Sequence, residues 1–521
     1  MAMPHDINVK LYIFSAIGAL FCIFGTTIFF TWPEIFTNIL HSQMQIIQGS
    51  HTFALWRDTP VPMYMNFYFH NWTNPDELKL NKPRFQQMGP YRFNIEEKKT
   101  HIVMNPNGTV TFKISRKWFF DKESSNGTLD DIVTTLNAVA MSAATTAKDW
   151  SRLMTSPLSI AMIQTGQKIY IQKKVGDLLF FGYKDPLLDI ADSLPKFIGV
   201  DIPFDKFGWF YKRNESSDFE GVFNMNTGVN DIYQLGRLHN WNYYNFTNFY
   251  DEPCDMVNGS AGELFPPNQT KEKAIEFYSA DLCRSLKLTF KEEEVIHGIT
   301  GYKYTGNEYT FDNGTLDPSN ECFCNGACSP AGVLNVTSCR YGAPGFVSFP
   351  HFYLADKFYL DQVEGMRPDA AKHTLFITLQ PETGIPLDVA ARFQINILLS
   401  PIEKFSLFKN VPTIYFPMIW FEQRATITSR LAWQVKFALA APLIGQIVSF
   451  LFIVGGVAVM AYYLYLIVPY SRRSKETIID LKEGPIIKPL IHSDRPIQIA
   501  TMQELLPKTM NGVRIDEKLE C

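Results

Sequence analysis

The chain has 521 residues, a formal net charge of −4 and 19% charged residues. That balance gives no basic footprint for a polyanion, so no nucleic-acid partner is expected. Aromatic residues reach 14%, with 42 Phe and 23 Tyr, which suits an aromatic-rich core or an apolar ligand site.

The first element is an uncharged run from Leu11 to Pro33 that contains LYIFSAIGALFCIFGTTIFF. As a helix this stretch measures about 30 Å, the thickness of a hydrocarbon core. A cleaved signal peptide fits poorly. Its apolar region would be too long, and TTIFFTWPE offers no small-x-small cleavage site. A second uncharged stretch runs from Phe437 to Ser471, with no polar face to mark it as a soluble helix. Two membrane spans are expected, with Trp32 and Tyr470 at the interfaces.

Lys10 precedes the first span, and Arg472, Arg473 and Lys475 follow the second, as the positive-inside rule favours. The stronger orientation signal is a set of N-x-S/T triplets at Asn71, Asn107, Asn126, Asn214, Asn245, Asn258, Asn268, Asn313 and Asn335. All nine lie between the two runs, which points to glycosylation of that segment. The expected layout is a cytosolic N-terminus over 1–10, a span over 11–31 and a glycosylated, disulfide-bonded ectodomain over 32–436. A second span over 437–468 and a cytosolic tail over 469–521 complete it.

Within the ectodomain the pattern reads mostly as strands. In YMNFYFH, Met65, Phe67 and Phe69 alternate with Tyr64, Asn66 and Tyr68. THIVMNPNGTVTFKIS predicts a hairpin turning at Asn105-Pro106-Asn107-Gly108. TLDDIVTTLNAVAMSAATTAKDW predicts a helix capped at Thr128, with Ile132, Leu136, Val139, Ala143 and Ala147 as a core stripe. A second helix is predicted over Lys173 to Phe181. Further along, Leu375, Ile377 and Leu379 alternate before a turn at Pro381 to Gly384, and Phe393, Ile395 and Ile397 alternate after it. No βαβ rhythm, internal repeat or linker interrupts 32–436, so one large β-rich domain with helical insertions is expected.

Six of the eight cysteines fall between 254 and 339, four of them within ECFCNGACSPAGVLNVTSC. C-x-C is a short bite for zinc, and a glycosylated compartment is oxidising, so an even set of six reads as a disulfide framework. Six cysteines allow 15 pairings. Asn325-Gly326 can turn the chain sharply enough for a local Cys324–Cys328 bridge, leaving Cys254 and Cys283 to reach Cys322 or Cys339. Signatures for zinc proteases, serine hydrolases, phosphate loops and dinucleotide binding are all missing, which argues against an enzyme. No cofactor or metal is expected. In the tail, Glu504-Leu505-Leu506 carries a dileucine, but Thr501 stands where a sorting signal has an acid.

Ordered stretches across the chain resemble the class B scavenger receptors. They include QMGPYRF (87–93), FFGYKDPLL (180–188), FNMNTGVND (223–231), NGSAGELFPP (258–267), ECFCNGAC (321–328), VSFPHFYLAD (347–356) and PMIWFEQ (417–423). That family includes fatty-acid and lipoprotein receptors, lysosomal integral membrane proteins and insect sensory neuron membrane proteins; an invertebrate member is the expectation. The resemblance implies an α+β fold: an irregular antiparallel β-barrel with an apical helical bundle and a hydrophobic tunnel leading to the bilayer. It implies bridges Cys254–Cys322, Cys283–Cys339 and Cys324–Cys328. It also implies apical basic residues that receive anionic ligands, for which Lys168, Lys173 and Lys174 are the candidates.

Expected ligands are fatty acids, sterols, carotenoids or phospholipids, with lipoprotein particles or apoptotic cells as larger partners and a homo-oligomer as an open possibility. Residence at the plasma membrane is expected, or alternatively in endosomal or lysosomal membranes as a sorting receptor whose apex binds a protein. An ectoenzyme with a dispersed site is the remaining rival.

Overall fold

A computed structural model describes residues 5–193, 204–324, 326 and 328–482, with 5–8, 10, 11 and 467–482 as backbone alone. The tail dileucine at 505–506 and Cys521 lie outside the described residues. Two compact units emerge. One comprises the chain up to Thr26 and from Phe450 onward, and the other is Thr27–Ser449.

The strands are β1 (Met63–Trp72), β2 (Phe85–Met104), β3 (Thr109–Asp121), β4 (Ile132–Leu136), β5 (Tyr170–Lys174), β6 (Val222–Asn226), β7 (Leu238–Trp241) and β8 (Ile275–Ser279). They continue with β9 (Arg284–Ile296), β10 (Ile299–Thr305), β11 (Val333–Asn335), β12 (Gly345–Ser348), β13 (Phe376–Leu379), β14 (Pro386–Leu399) and β15 (Ile414–Thr426). The helices are α1 (His5–Met44), α2 (His51–Arg57), α3 (Ala138–Thr146), α4 (Arg152–Gln164), α5 (Pro186–Asp192), α6 (Lys357–Asp361), α7 (Ala370–His373) and α8 (Ser429–Lys482).

Thirteen strands form one antiparallel sheet in the order β7-β6-β3-β2-β1-β15-β14-β13-β10-β9-β8, with β12 joined to β14 and β11 to β12. The two ends of that order are brought together by Ser260. Arg237 bridges Ser260 on one side, and on the other the Ser260 N–H donates to the Glu276 carbonyl at 2.9 Å. The Tyr278 N–H completes the seam by donating to the Ser260 carbonyl at 2.8 Å. Gly259 has φ +83°, and a Cβ there would stand 2.4 Å from the Glu276 carbonyl carbon, so only glycine allows this approach. The sheet is a near-closed barrel.

The barrel follows from alternation. Met65, Phe67 and Phe69 are buried on β1, and the hairpin of β2 and β3 turns at Asn105–Gly108, with Gly108 at φ +77°. The region 129–147 departs from its predicted helix. Ile132–Leu136 is strand β4, paired with β5, and the helix begins only at Ala138. The run Ile132, Val133, Thr134, Thr135 is β-branched and finds a partner strand, which outweighs the helical spacing. The cap is Asn137, whose side chain accepts from the Ala140 N–H at 3.1 Å, and not Thr128. The predicted helix over Lys173–Phe181 is also corrected: β5 ends at Lys174, and only Asp177–Phe181 coils, as a π-helical turn.

Helices α1 and α8 contain apolar stretches, Tyr12–Met44 and Ser429–Leu466, long enough to cross a membrane. In the smaller unit Gly18 packs against Gly456: a Cβ on Gly456 would lie 2.6 Å from the Gly18 carbonyl and 2.7 Å from Cys22 Sγ. Small residues of this kind let apolar helices approach closely without a hydrophobic drive.

Candidate functional site: two cavities and a charged seam

Strand β14 is the spine of the site. Its inward residues fall at every second position, and Phe393, Ile395 and Ile397 line a first cavity of about 470 Å³. Val389, Ala391 and the same Phe393 line a second cavity of about 550 Å³. From Val389 to Ile397 the strand rises about 27 Å at about 3.4 Å per residue, so one strand walls both spaces.

Helices α3, α4 and α5 contribute to the first cavity through Val139, Ala143, Leu158, Leu187 and Ala191. Leu40 and Met44 of α1 and Leu431, Val435 and Ala438 of α8 line the second. Between the cavities lies an aromatic waist. Phe67, Phe421 and Phe393 stand opposite one another across β1, β15 and β14. Phe210 packs on this row at 4.8 Å from Phe67 and 5.9 Å from Phe421, ring centroid to centroid. Edge-on contacts of this length are the favoured aromatic geometry.

A chain of alternating ion pairs runs beside the waist. Lys99 Nζ sits 2.5 Å from Glu263 and 2.6 Å from Glu97, and Arg116 Nε sits 2.6 Å from Glu97. Arg116 also pairs with Glu220, which meets Arg213 at 3.4 Å. Arg213 binds Asp281 at 2.8 Å, and Arg340 closes the chain at 3.5 Å from Asp281. Asp281 lines both cavities. Burial opposes ionisation of Glu97, but Lys99 and Arg116 prevail and hold its carboxyl well below the usual range. Burial and the neighbouring Glu97 push the Glu263 carboxyl up instead.

The disulfides brace this seam. Cys254 pairs with Cys322, Cys283 with Cys339 and Cys324 with Cys328. Cys283 lies two residues after Asp281 and Cys339 one before Arg340, so that bridge staples the last ion pair.

Lys168 is exposed, Lys174 is exposed and paired with Asp130 at 2.8 Å, and Lys173 is half-buried with its ammonium 4.7 Å from the Tyr183 ring. None of these three lines either cavity. Asn107, Asn126, Asn214, Asn245, Asn258 and Asn268 are exposed, whereas Asn71, Asn313 and Asn335 are half-buried. Asn71 Oδ1 accepts from the Thr134 N–H at 2.8 Å, and Asn313 Nδ2 donates to the Ser329 carbonyl. Among the described residues no group of His, Cys, Asp and Glu is arranged to hold a metal ion.

Sequence reasoning missed the ion-pair chain. One signal for it was legible: Glu97 and Arg116 stand directly opposite each other in the β2–β3 hairpin, just beyond the predicted stretch 100–115.

The CD36 family model matches residues 16–467. The chain is 38% identical over 445 residues to Protein peste of Drosophila melanogaster, covering 84% of this chain and 79% of that protein. It is 32% identical over 410 residues to Scavenger receptor class B member 1 of Bos taurus (78% of this chain, 79% of that one). Identity to Lysosome membrane protein 2 of Homo sapiens is 32% over 411 residues, covering 78% of this chain and 83% of that protein. The fold is a near-closed barrel with two cavities and two apolar helices long enough to cross a membrane. The chain belongs to the CD36 family, among the relatives of the class B scavenger receptors.

Proposed function

We propose that the chain is a membrane receptor for lipids or lipid particles that conducts apolar cargo through its barrel to the bilayer, without covalent chemistry. The observation that carries this reading is the continuous wall of β14, which lines one cavity under the α3–α5 helices and another beside Leu431 and Val435. An acyl chain in water costs about 0.8 kcal/mol per CH₂, so an apolar passage lowers the barrier to delivery. The receptor names of relatives support the reading.

In this arrangement 32–436 is the glycosylated ectodomain, 11–31 and 437–468 cross the membrane, and both termini are cytosolic. Lys168, Lys173 and Lys174 are candidates for the outer reception of anionic ligands. The test is uptake of a fluorescent lipid by cells expressing Ala391→Trp, which fills the second cavity at its wall. Uptake at the untransfected level, with normal surface expression, supports the passage; unchanged uptake overturns it. Charge reversal at the three lysines tests the entrance separately.

A second reading is a sorting receptor of endosomal or lysosomal membranes, favoured by the likeness to a protein named for the lysosome membrane. Staining for the chain at the cell surface against acidic vesicles separates the two.

A further inference from the structure

The ion-pair chain alternates four acids with four bases, but each cavity faces a different part of it. Among the described residues the first cavity is lined by Lys206, Arg213 and Arg340 against the single carboxylate of Asp281. The second is lined by Glu97, Glu220, Glu263 and Asp281 against Arg116. Even with the Glu263 carboxyl pushed up by burial, three acids face one base there.

Two details show donors left over on the first wall. Arg213 is 6% exposed, and its Nε has no hydrogen-bond partner. Lys206 is half-buried, and its ammonium stands 5.9 Å from the Tyr211 ring. Among the described residues no carboxylate lies within ion-pair distance of Lys206.

We propose that the two cavities sort amphiphiles by head-group charge. An anionic head is held in the first cavity by Lys206, Arg213 and Arg340, and the carboxylates of the second wall keep it from passing the waist. An uncharged lipid meets no such barrier and occupies both. The physical basis is Coulombic: beside low-dielectric walls an anion gains from cations it can reach and is penalised beside carboxylates. This inference rests on the passage proposed above and adds to it a rule for which lipids complete the route.

The test uses the full chain in nanodiscs of zwitterionic lipid and three photoactivatable probes of one chain length: a long-chain carboxylic acid, its methyl ester and the corresponding amine. Labelled peptides are mapped by mass spectrometry. The acid is expected on first-cavity residues such as Leu158 and Leu187 over second-cavity residues such as Ala261 and Val389 by about tenfold. The ester is expected on both, and the amine mainly on the second. Lys206→Glu should cut the acid's labelling of the first cavity by about tenfold and leave the ester's unchanged. Equal distributions of acid and ester in the unmodified chain overturn the sorting rule while leaving the passage intact. If no probe labels either cavity, the passage itself fails, and the sorting rule with it.

Discussion

Phe393 on β14 and Phe421 on β15 stand opposite each other in register, with ring centroids 6.1 Å apart, and each faces both cavities. In the proposed passage, cargo moving between the two spaces passes these rings. Phe421→Ala should therefore open the waist, raising the rate of lipid transfer while destabilising the fold by about 3 kcal/mol. Phe421→Leu, which keeps more of the packing, should show a smaller change in both. Transfer per surface-expressed molecule, alongside thermal unfolding, reads the two effects; slower transfer in Phe421→Ala would place the route elsewhere.

Arg116 is held between Glu97 and Glu220 and is mostly buried. Replacing it with Met leaves two carboxylates without their cation, which should cost about 3–5 kcal/mol. Adding Glu97→Gln and Glu220→Gln should restore part of that loss, because the stranded charges are then gone. Chemical unfolding of the chain in detergent measures both; no loss in the single variant would mean that the seam is not a stabilising unit.

Acid should weaken the fold through a histidine cluster on the outer side of β14. His70 is fully buried, and its Nε2 lies 3.1 Å from Gln394 Oε1. His351 lies 5.1 Å from it and stacks on His373 at 4.6 Å. Burial lowers the His70 pKa from 6.5 to about 4, with His373 adding to the effect. Burial also brings His351 down to about 2 and His373 to about 4. Above 6.5 His70 is neutral folded and unfolded, so it has no pH effect. As pH falls from 6.5 toward 4 the unfolded chain gains the proton first, and stability drops by about 1.4 kcal/mol per pH unit for this residue. His70→Asn should flatten that slope in unfolding measured across the same window; an unchanged slope would show that His70 does not contribute to it.

Gly456 of α8 should not tolerate a larger side chain, since its Cβ would collide with the Gly18 carbonyl and Cys22 Sγ. Gly456→Val in a Cys521→Ser background should separate the two helices and speed maleimide labelling of Cys22 severalfold. Gly455 has open space where its Cβ would be, so Gly455→Val is the control that should leave labelling unchanged.

Much of this architecture can be read from one-dimensional pattern. The alternation of Phe393, Ile395 and Ile397 announced a wall strand, and the uncharged runs announced α1 and α8. The 129–147 segment misled because its apolar spacing suits a helix, while its β-branched first half has a partner strand 38 residues away at Gln172. The charged seam was hidden for a different reason. Arg213, Asp281 and Arg340 are far apart in sequence, and each alone looks like a solvated surface charge. Only Glu97 and Arg116, opposed within one hairpin, left a local trace. Cavities leave none, since they are spaces between elements whose packing is tertiary.

The closure at Ser260 has a consequence for how this chain behaves at high density in a membrane. An open sheet presents a row of unpaired amide and carbonyl groups that another copy can extend. Here the first and last strands each spend those groups on the same short segment, Gly259–Ser260. Crowded neighbours are left with no strand edge at this seam on which to build an aggregate.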